Sequence, residues 1–399
     1  AFDKNLKAVS IDSPATKRQF TSSVLTATER IRFTIKNLDD VASSGNYDLY
    51  YQVNNNPAVM ETNSTVINPF AVYQYTFTTT SDFSLPGVYN IKAWIKRAGD
   101  AQTLDDTVSV TIKNLANPPI TLPNTNGFET TIAKDYTNNT MGFEGDDKID
   151  FKTNSLKGRA RTFVNSGFAL NGNRAITLDQ FIYNAALTTD SLLITYNLSN
   201  YVTGEQLRLD FYYKNHGQEN NVNNKVWIRG SDTKPWIFAY DLVANQAALG
   251  QWKHAVININ DVLDTVAQPI SASFQVIIGE QGNTSANAPN PIIDEDDGYT
   301  FDDITIQEPA NDIGILKIVS PSQTGCGMYG LQSISLNIKN YSGTTFTNIP
   351  VTYTINGGPA VTETIASLPP GVVTHTFALP QNLLVDTDYS FGFWVHEAT

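Results

Sequence analysis

Six acidic residues crowd into one short stretch of this chain, residues 292–306. The stretch reads IIDEDDGYTFDDITI, and its second half has the aromatic and β-branched content of a strand. Strict alternation along that strand places Asp302 on the face of Ile304, and Asp303 on the opposite face with Phe301. A carboxylate at the end of an apolar face needs a partner. We therefore expect at least one of this pair to meet a cation, a cluster of backbone amides or a metal ion.

Calcium is the metal that such carboxylates suit, because Ca²⁺ takes about 6–8 oxygen ligands from carboxylates, carbonyls and water. Glu129 lies about 170 residues earlier, in the sequence NGFE. If the intervening domain closes on itself, Glu129 and Asp302 or Asp303 lie on neighbouring strands and form the first candidate calcium site. Two acidic turns are weaker candidates, and a solvated loop is the alternative for both: Glu144, Asp146 and Asp147 in one, Asp294 and Asp296 in the other.

Aromatic residues are concentrated in the middle of the chain, where rings on a concave sheet face could bind sugars. The group comprises Tyr212, Tyr213, Trp227, Trp236, Phe238, Tyr240 and Trp252. A ligand face built from Trp227, Trp236, Tyr213 and Arg229 is one hypothesis. Aliphatic residues alternate with these rings, so a role in core packing is the alternative for several of them.

Composition excludes several classes of function. The chain has 399 residues, only 16% of them charged, with a net charge of −13. No basic run is longer than two residues, so we expect no nucleic-acid partner. No apolar run approaches the ~18–20 residues of a membrane span, so we expect no membrane insertion. None of the four histidines has a zinc-ligand spacing or lies in a nucleophile motif, and we predict that the chain is not an enzyme.

Two segments about 300 residues apart repeat each other in order. Residues 31–37 read IRFTIKN and residues 334–340 read ISLNIKN. Residues 51–59 read YQVNNNPAV and residues 353–361 read YTINGGPAV. Further matches follow in the same order, which chance does not produce. The repeated unit is predicted to be an Ig-like β-sandwich of about 100 residues.

The fold class predicted from these patterns is all-β, with tandem Ig-like β-sandwiches flanking a central jelly-roll β-sandwich. The predicted domains are 1–115, 118–307 and 311–399. Proline-bearing joints separate them, and we interpret these joints as semi-rigid spacers. The best helical candidate is short, residues 259–265, with Asn260 as its cap.

The third unit ends sooner than the first. After Trp94 the first unit continues to a final strand at residues 108–112, whereas the third stops five residues past Trp394. It therefore lacks its last strand as written, and an unpaired sheet edge recruits strands. Either sequence beyond Thr399 completes that sheet, or a partner chain adds a strand by β-augmentation, or the edge stays open.

The two outer units resemble the CARDB-type cell-adhesion-related repeats of large secreted Bacteroidota proteins. The residues that carry the resemblance are Ser320-Pro321, Gly325-Cys326-Gly327, Ile338-Lys339-Asn340, residues 353–357 and Tyr389. The first unit departs from this pattern because it lacks the Gly-Cys-Gly turn.

The central region resembles the MAM-like or cleaved-adhesin jelly roll of similar proteins. This resemblance rests on Gly127-Phe128-Glu129, residues 207–211 and 225–229, Pro235-Trp236, Trp252 and residues 301–304. It points to the same calcium residues, Glu129 and Asp302 or Asp303. It also implies a secreted or cell-surface protein of the kind exported by the type IX system.

Two functions follow as hypotheses. The first is a non-enzymatic extracellular adhesin or stalk segment of a large bacterial surface protein. Its jelly roll would bind calcium and a glycan or protein ligand, and its partners would be other domains or chains of a surface assembly. The alternative is a carbohydrate-binding accessory region of a secreted hydrolase.

Overall fold

The computed structural model describes residues 3–15, 20–154, 158–162, 169–180, 188–201, 206–216, 224–282, 298–309, 312–321, 329–384 and 387–396. Strands account for 54% of the chain and helix for 3%. The fold is therefore all-β, as predicted. Buried apolar side chains form three separate clusters along the described chain, and each cluster lies between the sheets of one unit.

The first unit has eight strands: β1 (Leu6–Ser13), β2 (Thr21–Ser22), β3 (Glu29–Asn37), β4 (Tyr47–Val53), β5 (Val59–Asn63), β6 (Val72–Ser81), β7 (Gly87–Arg97) and β8 (Thr107–Asn114). One sheet has the order β1-β3-β6 and the other the order β2-β8-β7-β4-β5. Buried rings from both sheets meet between them, among them Phe33, Tyr51 and Phe77.

The central unit has twelve strands, of which the first six are β9 (Asn124–Asn126), β10 (Asp135–Tyr136), β11 (Ile149–Thr153), β12 (Gly158–Thr162), β13 (Ile176–Gln180) and β14 (Thr188–Tyr196). The other six are β15 (Arg208–His216), β16 (Lys225–Arg229), β17 (Ile237–Asp241), β18 (Lys253–Asn258), β19 (Phe274–Gly282) and β20 (Gly298–Gln307). A 3₁₀ turn at Ser199–Tyr201 and helix α1 (Ile259–Asp264) complete it.

Two sheets form the central sandwich. The larger has the order β10-β12-β13-β20-β15-β18, with β9 also paired to β20, and we call it the six-stranded sheet after its main path. The other, the five-stranded sheet, has the order β11-β14-β19-β16-β17. Strand β20 lies at the centre of the six-stranded sheet, between β13 and β15.

Helix α1 occupies the predicted position, but its cap differs from the prediction. Asn258 is the N-cap residue and makes no side-chain capping hydrogen bond. Asn260 instead lies inside the first turn, where its Oδ1 accepts a hydrogen bond from the Leu207 backbone N–H at 2.7 Å. Its side chain therefore joins the helix to the segment just before β15 rather than capping the helix.

The third unit contains β21 (Ile313–Ser320), β22 (Gly330–Gln332), β23 (Ser335–Asn340), β24 (Phe346–Ile355), β25 (Val361–Leu368), β26 (Gly371–Thr376), β27 (Gln381–Leu383) and β28 (Phe391–Val395). Its sheets have the orders β21-β23-β26, β22-β27 and β25-β24-β28.

The repeated sequences adopt matching structures in the two outer units. The pairing β1-β3-β6 corresponds to β21-β23-β26, and β5-β4-β7 corresponds to β25-β24-β28. The same edge-to-face ring pair lies in each core. Tyr51 and Phe77 have ring centroids 4.7 Å apart, and Tyr353 and Phe377 have centroids 4.6 Å apart.

One edge differs between the outer units. In the first unit β7 lies between β4 and β8, whereas among the described residues β28 pairs with β24 alone. The side chains of Phe391 and Phe393 are only partly buried, whereas Ile91 and Ala93 at the matching positions are fully buried. In the first unit β8 lies beside β7, whereas among the described residues no strand lies on that side of β28. This accounts for the difference in burial.

A buried ion pair joins the first unit to the central one. Lys113 Nζ lies 3.1 Å from Asp150 Oδ1, and the two side chains are 3% and 0% exposed. The same ammonium group donates to the backbone carbonyl of Asp147 at 2.6 Å. Burial raises the pKa of Asp150, and the Lys113 charge opposes that rise. The joint thus depends on a cation and an anion that are both removed from water.

The rest of this joint is polar backbone and amide contact. Gln275 Nε2 donates to the Thr21 carbonyl at 3.0 Å, and Ser23 Oγ donates to the Ala272 carbonyl at 2.7 Å. Within the linker, Ile120 is 5% exposed and packs in the central core. The proline-bearing segment is therefore docked against the central sandwich along this stretch.

The joint between the central unit and the third unit consists of ion pairs and a contact between a cation and a ring. Lys339 pairs with Asp261 of helix α1, and Arg208 Nη1 lies 3.8 Å from Asp312 Oδ2. The Lys339 ammonium also lies 4.8 Å from the ring centroid of Tyr341. These contacts tie the third unit to the end of the central sandwich that carries α1.

We predict that Lys113→Met lowers the free energy of unfolding by about 3–5 kcal/mol, because it leaves the Asp150 carboxylate buried without its cation. Urea denaturation followed by tryptophan fluorescence measures this change. Adding Asp150→Leu should recover much of the loss, since an apolar pair replaces the ion pair. Lys7→Met, at an exposed lysine, is the control. An equal loss of unfolding free energy in Lys113→Met and Lys7→Met would contradict the prediction.

A second prediction concerns Asp190, which is fully buried on the core side of β14. Burial raises its pKa to about 7. The folded state therefore holds the proton more tightly than the unfolded chain, and stability falls as pH rises from about 4 to about 7, by up to ~1.4 kcal/mol per pH unit.

Asp190→Asn should remove that contribution, so its melting temperature should exceed that of the natural protein increasingly as pH rises from 5 to 8. Calorimetry of both proteins at each pH measures the difference. A difference that stays constant across this range would count against a buried, proton-holding Asp190.

Candidate functional site

The two aspartates of the predicted calcium site meet the loop formed by residues 169–174. Asp302 Oδ2 accepts hydrogen bonds from the backbone N–H groups of Leu170 and Asn171 at 2.7 and 3.2 Å. Its other oxygen accepts one from the Asp303 N–H at 2.8 Å. Asp303 itself accepts a hydrogen bond from the Asn171 side-chain amide. Of the three partners that the sequence left open, a cluster of backbone amides is the one that Asp302 has here.

Glu129 reaches the far end of the same loop. Its Oε1 accepts hydrogen bonds from the backbone N–H groups of Asn173 and Arg174 at 2.8 and 2.9 Å. Strand β9, just before Glu129, pairs with β20 next to Asp303. The fold therefore brings all three predicted residues to a single loop, from two neighbouring strands.

The expectation that Asp302 shares a face with Ile304 is wrong, and a β-bulge is the reason. Between Asp302 and Thr305 the strand β20 contains one more residue than the facing segment of β15. Asp303 takes up the extra length with a left-handed φ of 48°. Alternation is reset there, so Phe301 and Ile304 both point into the core while Asp302 points to the outer face.

Burial governs the charge of Asp302. Its side chain is fully buried, and this raises its pKa to about 6. The three N–H groups oppose the rise, and the neighbouring Asp303 charge adds to it. The loop therefore holds a carboxylate whose negative charge is only partly offset by neutral donors.

Among the described residues, no group of three or more His, Cys, Asp or Glu side chains is placed to hold a metal ion. Two carboxylate oxygens do lie close to Gly127. A Cβ atom added to Gly127 would lie 3.1 Å from Asp303 Oδ1 and 3.9 Å from Asp302 Oδ1. We therefore expect a bound calcium ion to contact these two oxygens beside Gly127, with Glu129 fixing the loop and water completing the shell.

The weaker acidic candidates have separate partners. Glu144 pairs with Lys134, and Asp147 lies 3.2 Å from Lys113. Asp146 accepts a hydrogen bond from the Asn126 side-chain amide at 2.6 Å. Their side chains thus serve three different contacts rather than a common site. Asp294 and Asp296 lie outside the described residues.

Three of the four predicted ligand-binding residues have packing roles. Tyr213 is fully buried, and its hydroxyl donates to the Leu242 carbonyl at 2.9 Å. Arg229 is 1% exposed, and its Nε donates to Gln275 Oε1 at 2.8 Å. The Arg229 guanidinium also lies 4.2 Å from the ring centroid of Trp236, so these two side chains pack on each other.

Trp227 lies on the outer face of the five-stranded sheet. A Cβ added to Gly279 on the neighbouring strand would lie 2.9 Å from Trp227 Cζ3, so only glycine lets the ring lie flat there. The facing residue on β17, Phe238, is 53% exposed. The first unit reaches this same sheet face through Gln275.

The outer face of the six-stranded sheet carries Tyr212 and Trp252, two rings of the aromatic group found in the sequence that the four-residue ligand face left out. Tyr212 and His254 are direct cross-strand neighbours, and their rings stack with centroids 4.7 Å apart at an interplanar angle of 18°. One further pair of side chains lies beside them, with Lys214 Nζ 4.6 Å from the ring centroid of Trp252. His254 is held by Asp210, whose Oδ1 lies 2.9 Å from its Nε2. We call Tyr212, Lys214, Trp252 and His254 the ring group.

A row of buried polar side chains continues this face across β20 and β13. The hydroxyls of Thr300 and Thr177 lie 2.8 Å apart, and both residues are at most 1% exposed. Asp179 follows on β13, with Arg159 Nε at 2.8 Å and Arg161 also paired to it. Burial raises the pKa of Asp179 to about 6, against the effect of the two arginines. This part of the face is therefore buried and its polar groups are paired with each other, whereas the ring group lies beside it.

The alternation of core-facing and outward-facing residues in β15 could have predicted this face from the sequence. In the sequence RLDFYYKNH, Leu209, Phe211 and Tyr213 occupy one side and are all buried in the core. Tyr212 must then lie on the opposite side, together with Lys214. The two adjacent tyrosines have opposite roles, and the ligand candidate chosen from the sequence was the buried one.

No family model matches the chain, and no curated protein matches it. Solved structures with partial likeness exist. One is TmCBM61 in complex with β-1,4-galactotriose, at 11% identity and a TM-score of 0.24, covering 40% of this chain and 86% of that one. A β-1,2-glucanase from Parabacteroides distasonis has 14% identity and a TM-score of 0.31, covering 62% of this chain and 34% of that one.

A GH2 β-galacturonidase from Eisenbergiella tayi bound to galacturonate is a third, at 9% identity and a TM-score of 0.21, covering 62% of this chain and 41% of that one. These low identities and TM-scores leave the function to be inferred from the residues of the site itself. In the part of the chain that the structure describes, no helix is long and apolar enough to cross a membrane.

For the calcium site we predict that chelation with EGTA lowers the melting temperature of the natural protein, because an ion bound only to the native state stabilises it. Asp303→Ala should remove this sensitivity from the unfolding transition of the central unit. Asp264→Ala, at an exposed aspartate of the same unit, should keep it. Equal melting temperatures of the natural protein in calcium and in EGTA would exclude a stabilising calcium ion.

Proposed function

We propose that the central sandwich binds a neutral oligosaccharide on the outer face of its six-stranded sheet, as a non-enzymatic carbohydrate-binding unit of an extracellular protein. The observation that carries this proposal is the ring group, in which the stacked rings of Tyr212 and His254 lie beside Trp252 and the Lys214 ammonium group. Sugar rings present apolar C–H faces that pack on aromatic rings, and hydroxyls that need hydrogen-bond partners. The ring group offers both kinds of contact, because its rings can pack on a sugar and the polar atoms of Tyr212, Lys214 and His254 can exchange hydrogen bonds with its hydroxyls.

The rings are held before a ligand arrives, which favours binding. Tyr212 is fixed by its stack on His254, and His254 by Asp210. Asp210 in turn accepts hydrogen bonds from Arg208 Nε at 2.7 Å and Gln307 Nε2 at 2.9 Å. Because few side-chain rotations remain to be lost, less of the interaction free energy is consumed by ordering.

The choice between the two sheet faces rests on what covers them. Asp150 and Gln275 lie on the outer side of the five-stranded sheet, and both contact the first unit. The ring group lies on the other sheet. We therefore assign ligand binding to the six-stranded sheet and a spacing role to the outer units, which would hold this face away from the surface that carries the protein.

An adhesin or stalk segment is the second candidate. It is favoured by the buried contacts at the first joint, where Lys113 and Gln275 tie neighbouring units together. Such contacts suit a rod whose partners are other domains or chains of a surface assembly. The two candidates differ in whether the central face binds sugar.

We expect the natural protein to bind at least one neutral glycan from a panel of galactan, xylan, mannan and β-glucan oligosaccharides, measured by isothermal titration calorimetry. Tyr212→Ala and Trp252→Ala should each weaken this binding at least ~10-fold, because each removes a stacking surface worth about 1.4 kcal/mol or more.

Trp227→Ala is the matched control, since it removes an indole from the opposite sheet. It should leave the affinity unchanged. Absence of binding to every member of the panel would favour the stalk, and a loss in Trp227→Ala instead of Tyr212→Ala would place the ligand on the five-stranded sheet.

A further inference from the structure

Three buried oxygen atoms without a hydrogen-bond donor lie at one end of the first unit. They are Oδ1 of Asn5, Oδ1 of Asp105 and Oδ1 of Asp106. Asn5 is fully buried, and Asp106 is 8% exposed. A buried acceptor that finds no donor costs free energy, so native proteins rarely leave one unsatisfied. Three such atoms on neighbouring side chains call for a positively charged ligand.

The fold brings these residues together from two distant points of the chain. Asn5 directly precedes β1, and its Nδ2 donates to Asp105 Oδ2 at 3.5 Å. The backbone carbonyls of Asp105 and Asp106 accept hydrogen bonds from Ala8 N at 2.9 Å and Ile95 N at 3.1 Å. The turn between β7 and β8 is thereby fixed against β1 and β7, and the side-chain oxygens are the acceptors that remain.

Electrostatics favour a cation at the same place. Burial raises the pKa of Asp106 to about 6, and the charges of Asp100 and Asp105 raise it further. Asp100 already has donors for both oxygens, from Leu6 N and Gln102 N at 2.9 Å each. Like charges thus converge on Asp106, in a place from which water is largely excluded.

The guanidinium group of Arg97 hydrogen-bonds to backbone carbonyls rather than to these aspartates. Arg97, at the end of β7, donates from Nη1 to the Lys4 carbonyl at 3.0 Å and from Nη2 to the Ser44 carbonyl at 3.4 Å. These hydrogen bonds direct its guanidinium to main-chain carbonyls at the start of the chain and before β4. Arg97 therefore directs both of these donors away from Asp105 and Asp106.

We propose that Asn5, Asp105 and Asp106 bind a calcium ion. The set offers two carboxylates and one amide oxygen, which are the hard ligands that Ca²⁺ prefers, and water supplies the rest of its ~6–8 ligands. Two carboxylates balance the charge of the ion. Because one of the three ligands is an amide, the set falls outside the groups of three acidic, His or Cys side chains considered above. The ion would tie the first strand to the β7–β8 turn.

The test uses the whole chain and calcium chloride alone. Isothermal titration calorimetry gives the number of ions bound per chain, and calorimetric melting with calcium or EGTA gives the stabilisation. Asp106→Asn and Asp105→Asn should each lower the number of bound ions by one relative to the natural protein. The neutral amide has the shape of the acid, so these variants keep the packing. Asp40→Asn, at an exposed aspartate of the same unit, should retain the full number.

This count separates the site from any ion beside Asp302 and Asp303, because Asp303→Ala would lower the number independently. If Asp106→Asn binds as many ions as the natural protein, the proposal is overturned, and Asp106 is instead a buried neutral acid. A variant expected to gain stabilisation by calcium provides a second test. Asn5→Asp adds a carboxylate ligand, so calcium should raise its melting temperature by more than that of the natural protein, and a smaller rise would also overturn the proposal.

Discussion

The carboxylate of Asp302 is the group on which the geometry of the central sandwich depends. It lies on β20, at the middle of the six-stranded sheet, and it is fully buried. A buried carboxylate is tolerated only when hydrogen bonds or opposite charge offset the loss of water. The amides of Leu170, Asn171 and Asp303 supply those hydrogen bonds. The bulge at Asp303 makes them reachable, because it turns Asp302 to the outer face while its apolar neighbours stay in the core.

Ionic contacts of unequal strength hold the three units together. At the first joint both members of the Lys113–Asp150 pair are buried, so each group requires the other and the joint resists separation. At the second joint the pair Arg208–Asp312 is partly exposed, and such pairs contribute little. The second joint also contains the Lys339–Asp261 pair, in which the lysine is buried and the aspartate partly exposed.

The same surface chemistry leads to different roles on the two faces of the central sandwich. Rings lie on both, but the five-stranded sheet also carries Asp150 and Gln275, which the first unit contacts. The six-stranded sheet carries the ring group, in which Tyr212 stacks on His254 and His254 is held by Asp210. Order before binding reduces its entropic cost, which is why this face is the better candidate for a sugar.

Alternation, turn residues and an ordered internal repeat were enough, in the sequence alone, to determine the all-β class and the matching outer units. These signals are local, since alternation follows from strand geometry and the repeat from equal turn lengths. The sequence also predicted that Glu129 and Asp302 or Asp303 lie on neighbouring strands, because strands at the two ends of a sandwich close beside each other, and in the structure the three side chains accept hydrogen bonds from one loop. The tertiary structure alone decided which face each ring occupies, through the bulge in β20 and the cross-strand register of β15. It also decided that Asn5 meets Asp105, a contact between residues 100 positions apart that no local pattern encodes.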